Sequence, residues 1–211
     1  MANTAKENIL KKIRQALTHQ VPVPFPQSEG NDSVFQLSSK ELELEFAENF
    51  TGLLGRFSFC ANEKELVDQL NTLATARKWE KIFCLEADVK QHLAVNGFAN
   101  LSVTDLKSCD ASITSCELLI ARTGSILLSS ASQSGRTASV YAPVHICIAY
   151  SNQLVYDIKD GLQILKEKYK NNLPSLISLA TGPSRTADIE KTLVVGVHGP
   201  KEVFCFLVDK Q

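Results

Sequence analysis

The sequence predicts an α/β protein in which a mostly parallel β-sheet is covered by helices on both faces. Short apolar segments such as "RFSFC", "KIFCL" and "VHICIAY" indicate strands, and amphipathic segments such as "EKELVDQLNTLATARK" separate them. This alternation is typical of parallel sheets, because the helices that connect the strands pack on both faces. The later strand candidates follow one another more closely, so we expect some antiparallel or mixed pairing there.

Size and charge limit the classes of protein to which the chain can belong. Its 211 residues, 44% of them hydrophobic, suffice for one domain core with an N-terminal appendage. The 22 basic and 23 acidic residues argue against binding to nucleic acid or membrane by general electrostatics. No apolar run approaches the roughly 20 residues of a membrane span, and the first residues do not resemble a signal peptide. We therefore expect a cytoplasmic protein.

The N-terminal region, residues 1–32, is predicted to be a helix followed by a linker, and residues 33–211 form the main domain. A helix over residues 5–17 is indicated by apolar residues that share one face, namely Ile9, Leu10, Ile13 and Leu17. The segment "HQVPVPFPQSEGNDS" follows, and its three prolines and polar end predict a linker.

The elements of the main domain follow in order. A helix is predicted over about residues 39–54, and the strand "RFSFC" comes next. Asn62 lies three residues before Glu65, which is the spacing of an N-terminal cap for the following helix. Further elements are predicted at "KIFCL", "EADVKQHLAV" (a helix), "ASIT", "GSILLSS", "VHICIAY", "DIKDGLQILKEKYK" (a helix), "SLISLAT" and "EVFCFLV". The segment "DIEKTLVVGV" fits either a helix or a strand.

The cysteines and the known cofactor motifs predict neither a metal nor a cofactor in this chain. None of the six cysteines forms a C-x-x-C or C-x-C pair, and several lie within apolar runs, where a thiol behaves as a small buried hydrophobe. The sequence also lacks the G-x-G-x-x-G, G-K-[ST], G-x-S-x-G and H-E-x-x-H patterns.

The segment "ATGPSRTADIE" is the first candidate for a ligand site, since ligands of open α/β sheets bind beyond the carboxyl ends of strands. Gly182 allows close approach of the main chain, and Arg185 can bind a carboxylate or phosphate. Ser184 and Thr186 can cap a following helix or donate to an anion. A well-capped turn with a surface arginine explains the same residues, and both interpretations stay open.

Two further turns contribute candidate binding residues. Thr123, Gly124 and Ser125 precede a strand in "ARTGSILL", and Arg136 lies in "SQSGRTASVYAPVHI". If their loops adjoin, Arg136 and Arg185 would bind one small anion, either a carboxylate or a phosphate.

Three residues are candidates for catalysis. His145 and His198 lie at strand or loop edges, where a histidine is either a structural hydrogen-bonding group or a proton carrier near neutral pH. Glu117 is the acid adjacent to these turns, and it is either a nucleophile or base, or a carboxylate on a helix face.

Three segments of the sequence carry a family resemblance: "TGPSRTADIEKTLVVGVHGPKEV" (residues 181–203), "SGRTASVYAPVHICIAY" and "ITSCELLIARTGSILLSS". The first resembles the terminal signature of the LUD (lactate utilisation) domain family, in its lactate-utilisation protein C branch. The other two resemble further motifs of that family, and the similarity covers roughly residues 40–208. Arg122 stands where the family commonly has an acid.

The resemblance implies a three-layer α/β/α sandwich similar to the NagB/RpiA/CoA-transferase-like group. It also implies a non-redox subunit or accessory protein of a system that oxidises L-lactate to pyruvate, with the iron–sulfur clusters in a partner protein. The alternatives are a free-standing transferase or cyclo-ligase-like enzyme for a phosphorylated or thioester substrate, with Glu117 as nucleophile, and a ligand-sensing domain.

Overall fold

The computed structural model describes residues 5–18, 38, 40–101, 105–189 and 192–210. The chain divides into two compact units, Met1–Leu37 and Ser38–Gln211. The first contains the predicted N-terminal helix, whose apolar residues are exposed to solvent. The predicted linker lies outside the described residues. Among the helices that the structure describes, none has both the length and the apolar character to cross a bilayer.

The described residues form six α-helices and eleven β-strands. The helices are α1 (Ala5–Leu17), α2 (Leu42–Gly52), α3 (Glu63–Arg77), α4 (Ala87–Val95), α5 (Ala138–Tyr141) and α6 (Ile158–Tyr169). The strands are β1 (Arg56–Cys60), β2 (Ile82–Phe83), β3 (Ala111–Thr114), β4 (Leu118–Ile120), β5 (Ser125–Ser129), β6 (Val144–Tyr150), β7 (Leu154–Val155), β8 (Ile177–Ala180), β9 (Arg185–Ile189), β10 (Thr192–Val195) and β11 (Glu202–Val208). The Asn62 side chain caps α3 by accepting from the Glu65 amide at 3.0 Å, as its spacing predicts.

The central sheet has five strands in the order β1-β11-β6-β3-β2, and all its pairings are parallel. Alternate residues of each strand face opposite sides. In β6, Ile146 packs in the core beneath α3 and α4, whereas Cys147 packs in the core beneath α2. The predicted α/β fold, with a mostly parallel sheet and helices on both sides, is confirmed.

A second sheet of four strands, in the order β7-β4-β5-β8, shares the α2 side of the central sheet. Its strand β5 pairs antiparallel with both β4 and β8, which confirms the expected mixed pairing among the later strands. Leu119 and Ile126 of this sheet are fully buried with Phe46 and Phe50 of α2. Helix α6 packs on the other face of the second sheet through Leu165.

The segment after "TGPS" forms an antiparallel hairpin of β9 and β10, so the helical interpretation of "DIEKTLVVGV" is wrong. Its β-branched residues favour extended backbone, because their side chains lose rotamer freedom in a helix. Ser184 and Thr186 therefore cap no helix. The Ser184 amide instead donates to the Pro200 carbonyl at 3.0 Å, and the Ser184 carbonyl accepts from Gly196 at 2.9 Å.

Candidate functional site

A polar cavity of about 300 Å³ opens beyond the carboxyl ends of β2 and β3. We call it the serine-lined cavity, and its walls include Glu86, Thr114, Ser115, Glu117, Ser129, Ser132, Ser134, Lys168 and Tyr169. Glu86 is only 7% exposed. Its carboxylate accepts from Ser132 Oγ at 3.0 Å, from Ser134 Oγ at 2.5 Å, and from both the amide (3.1 Å) and the hydroxyl of Ser115. This carboxylate thereby ties the end of β3 to the loop that follows β5.

Glu117 lines the same cavity and lies directly before β4, so it is not on a helix face. Its side chain is 8% exposed and accepts from Lys168 Nζ at 2.8 Å, Tyr169 OH at 2.7 Å and Ser129 Oγ at 2.5 Å. Burial alone would raise the pKa of Glu117, but the hydrogen bonds from Lys168, Ser129 and Tyr169 outweigh it and lower that pKa. Glu117 is therefore a buried carboxylate that stays ionised at neutral pH.

The lowered pKa of Glu117 makes its stabilising contribution depend on pH. A carboxyl whose pKa is lower in the folded state stabilises the fold above its ordinary value of about 4.5, and this contribution is lost as the pH falls through the folded pKa. We expect Glu117→Gln to unfold at lower urea concentration than the wild type at pH 7, with the difference narrowing below about pH 4.5. Glu167→Gln, which changes an exposed carboxylate of α6, is the matched control and should show no such narrowing. A difference that stays constant down to pH 3 would contradict this role.

A second cavity, of about 270 Å³, lies beside the serine-lined cavity and shares Leu128 and Ser139 with it. We call it the histidine cavity, and its walls include His145, Thr181, Gly182, Ser184, His198, Gly199 and Pro200. These residues come from the beginning of β6, the turn after β8 and the turn before β11. The structure thus brings His145 together with Gly182, Ser184 and His198, which belong to a later segment of the sequence.

His145 is fully buried, and its neighbours across the central sheet are Ser112 of β3 and Val203 of β11. Its Nε2 atom lies 2.8 Å from Thr114 Oγ1, whereas Nδ1 has no hydrogen-bond partner among the described residues. Burial lowers the pKa of His145 to about 4, because a charged imidazole would lose its hydration there. The ring is therefore neutral at physiological pH. His198, in contrast, is exposed at the mouth of the same cavity.

The turn at Thr123, Gly124 and Ser125 packs against α2 and lines neither of the two cavities. Gly124 has a φ of +57°, and a Cβ atom there would lie 2.5 Å from the Phe50 amide nitrogen. The Ser125 hydroxyl lies 2.8 Å from the hydroxyls of both Thr123 and Thr181. This turn therefore contacts α2 on one side and, on the other, Thr181, which lines the histidine cavity.

The two arginines predicted to bind an anion have other partners in the structure. Arg136 donates to Ser175 Oγ at 2.6 Å, and Arg185 donates to the Leu53 carbonyl at 2.9 Å, just past the end of α2. Neither lines the two cavities, and Thr186 pairs with Val194 in the hairpin. Ligand binding by Arg136 and Arg185 stays a prediction. In the structure, each arginine stabilises its loop through the hydrogen bond to Ser175 or to Leu53.

Arg122, which stands where the family resemblance implies an acid, forms an ion pair with Asp157. Its Nε atom lies 2.7 Å from Asp157 Oδ2, and both side chains are largely shielded from solvent. Asp157 also caps α6 by accepting from the Lys159 amide at 3.0 Å. Arg122 thus fixes the beginning of α6 and is not one of the residues that line the two cavities.

Sequence reasoning missed Glu86, Thr114 and the serines that bond to Glu86. The detectable signals were an acid just after the predicted strand "KIFCL" and the hydroxyl-rich run "SSASQS". Polar residues at the carboxyl ends of parallel strands meet at one edge of the sheet. What the sequence lacked was the pairing of β2 with β3, which places Glu86 next to Ser115.

The fold places the chain among α/β proteins with a central parallel sheet, a class whose ligand sites lie beside strand ends. Residues 44–208 match the LUD domain, and the chain belongs to the LUD domain family. The family resemblance drawn from residues 181–203 and the two other segments is thereby confirmed.

Individual relatives are similar over shorter stretches. An uncharacterised protein of Neisseria meningitidis is 35% identical over 94 residues, which is 44% of this chain and 40% of that protein. Lactate utilization protein C of Deinococcus radiodurans is 33% identical over 109 residues, covering 51% of this chain and 50% of the relative. The matches therefore span about half or less of the curated relatives. The crystal structure of a DUF162 family protein from D. radiodurans shares the fold, with a TM-score of 0.58 at 22% identity over 82% of this chain and 99% of that one.

Proposed function

We propose that this protein takes part in lactate utilisation as a cytoplasmic, non-redox subunit or accessory protein, and that its histidine cavity binds a small anion. The relative from D. radiodurans is named a lactate utilization protein C, and the family match extends over the segments that line the cavity. The observation that most directly supports the proposal is the cavity itself. It is lined by residues of β6 and of the turns at residues 181–184 and 198–200. The iron–sulfur centres would belong to a partner protein, as the family resemblance implies.

The chemistry of the histidine cavity suits a small anion. The hydroxyl of Ser184 and the exposed imidazole of His198 are available as donors at its walls. The amides of His198 and Gly199 also have no acceptor among the described residues. Backbone amides without a partner bind anions well, because they bring partial positive charge without a large desolvation cost. The volume of about 270 Å³ accommodates a ligand of the size of lactate or pyruvate.

Calorimetric titration of the purified chain with L-lactate, pyruvate and inorganic phosphate tests this proposal. We expect at least one of them to bind saturably, and His198→Ala to weaken that binding about tenfold by removing one donor to a charged group. His92→Ala, which removes another exposed histidine, is the matched control and should leave the affinity unchanged. If none of the three anions binds, or if the two variants behave alike, the proposed site is wrong.

The position of Glu117 favours a second candidate, a free-standing enzyme for a phosphorylated or thioester substrate. An ionised carboxylate that lines a cavity next to Lys168 is a possible nucleophile, since the ammonium group can attract an anionic substrate. Turnover of a thioester by the single chain, lost in Glu117→Gln, would favour this candidate over the accessory role.

A further inference from the structure

The unpartnered Nδ1 atom of His145 is the starting point of a further inference. A buried polar atom without a hydrogen bond is costly, and nearly all such atoms in folded proteins have a partner. His145 is fully buried, yet among the described residues its ring bonds only through Nε2, and His145 is one of the residues that line the histidine cavity. A ligand that enters beside His145 can supply the missing partner.

The hydrogen bond to Thr114 decides which nitrogen of the neutral ring carries the proton. Among the described residues, the Thr114 hydroxyl has His145 Nε2 as its partner and no other. If Thr114 donates to Nε2, both the hydroxyl hydrogen and the Nε2 lone pair are satisfied. If Nε2 carried the proton instead, the hydroxyl hydrogen would have no acceptor in the described part of the chain. Thr114 therefore favours the tautomer with the proton on Nδ1, which makes Nδ1 a donor.

The charges around the cavity select the kind of acceptor. No Lys or Arg belongs to the walls of the histidine cavity, as far as the chain is described. The adjoining serine-lined cavity contains the carboxylates of Glu86 and Glu117. A phosphate dianion would have to give up its hydration without a compensating cation, whereas a carboxylate brings one negative charge and two acceptor oxygens. A neutral N–H donor suits the carboxylate better.

We propose that the histidine cavity is specific for small monocarboxylic acids, whose oxygen accepts a hydrogen bond from Nδ1–H of neutral His145. His145 is the residue that contacts the ligand, and Thr114 is a positioning residue that holds the ring in the required tautomer. This inference rests on the proposed function, because it names the ligand class of the same cavity. It adds that the neutral ring of His145 donates the hydrogen bond to the acid, and that Arg136 and Arg185 do not contact the ligand.

Nitrogen-15 NMR of the histidine side chains tests the tautomer without any ligand. In the wild-type protein at pH 7 we expect the proton of His145 on Nδ1, with Nε2 unprotonated. Thr114→Val keeps the side-chain volume but removes the hydroxyl, so we expect the signals of the other tautomer to appear. A wild-type ring with its proton on Nε2 overturns the inference, and so does an unchanged tautomer in Thr114→Val.

Titration with pyruvate, L-lactate and inorganic phosphate at fixed pH tests the selectivity. We expect the wild type to bind a monocarboxylate at least about tenfold more tightly than phosphate, and Thr114→Val to weaken carboxylate binding about three- to tenfold. His145→Asn, which retains a neutral amide donor, should bind better than His145→Leu. Thr114→Val preserves the shape of the core, so it carries the test if His145→Leu fails to fold.

The outcomes separate the inference from the proposed function. Carboxylate binding that is equal in the wild type, Thr114→Val and His145→Asn would overturn the role of His145 and leave the cavity as the binding site. Preference for phosphate would also overturn the inference while the proposed anion site stands. Failure of all three anions to bind would overturn both.

Discussion

Replacing Gly124 by alanine is expected to destabilise the folded protein by about 3 kcal/mol, combining the cost of left-handed backbone with that of a steric overlap. Gly124 has a φ of +57°, which residues with a Cβ rarely adopt. The added Cβ would also lie 2.5 Å from the Phe50 nitrogen and 2.7 Å from the Asn49 carbonyl carbon. Both of these atoms belong to the backbone of α2, so the overlap can be relieved only by moving the helix.

Gly135→Ala is the matched control for this substitution. Gly135 has a φ of +62°, close to that of Gly124, but no atom lies within 4 Å of the position that its Cβ would take. The control should therefore show the backbone cost alone, about 1–2 kcal/mol. Urea unfolding of both variants measures the difference. Equal losses of folding free energy in Gly124→Ala and Gly135→Ala would mean that a Cβ atom at position 124 does not overlap with α2.

The same contact explains why the glycines of these two turns are difficult to interpret from the sequence. Gly182 has a φ of +79°, and its Cβ would lie 2.4 Å from the Leu53 carbonyl oxygen at the end of α2. Gly124 and Gly182 thus approach the same helix closely, and Arg185 donates to that same Leu53 oxygen. A glycine is required wherever another group approaches the main chain too closely for a Cβ atom, whether that group is a ligand or a helix. The sequence cannot distinguish the two until the position of α2 is known.

The central sheet, in contrast, could be predicted because its strands other than β1 are almost entirely buried. Every residue of "VHICIAY" from Val144 to Ala149 is buried, so the segment is continuously apolar apart from His145. From the sequence the hairpin of β9 and β10 fits both interpretations, because its apolar residues Leu193 and Val195 are exposed. Exposed apolar residues give no period that distinguishes a strand from a helix.

The candidate site was predictable only in part, for a reason of geometry. The turns containing Gly182 and His198 meet because the hairpin of β9 and β10 brings its two ends together, where Ser184 bonds to Gly196 and Pro200. Both turns also lie within the one segment that resembles the family signature. The sequence predicts that Arg136 and Arg185 bind one anion if their loops adjoin, and in the structure each has an acceptor close to its own loop. For Arg136 this is a serine hydroxyl, and for Arg185 it is a backbone carbonyl. The spacing of the loops along the sequence does not predict which of these acceptors each arginine contacts.

Glu86→Ala is expected to cost about 3 kcal/mol of folding free energy, because hydrogen bonds to a charged group contribute more than neutral ones and buried donors left unpaired are costly. The variant would leave the Ser115 amide and the hydroxyls of Ser115, Ser132 and Ser134 without their acceptor. Glu86→Gln keeps one acceptor oxygen and the shape of the side chain. The loss of folding free energy in Glu86→Gln should therefore be smaller than that in Glu86→Ala but greater than zero.

Asp88→Ala is the control for the Glu86 substitutions, since Asp88 lines the same cavity from an exposed position on α4. It should change the stability by less than about 0.5 kcal/mol, as is usual for exposed positions. Glu86 also connects β3 to the loop after β5, so amide hydrogen exchange should become faster at residues 130–136 in Glu86→Ala but not in Asp88→Ala. A stable Glu86→Ala protein with unchanged exchange would mean that the serines can replace the carboxylate with water. The serine-lined cavity would then keep its shape independently of Glu86.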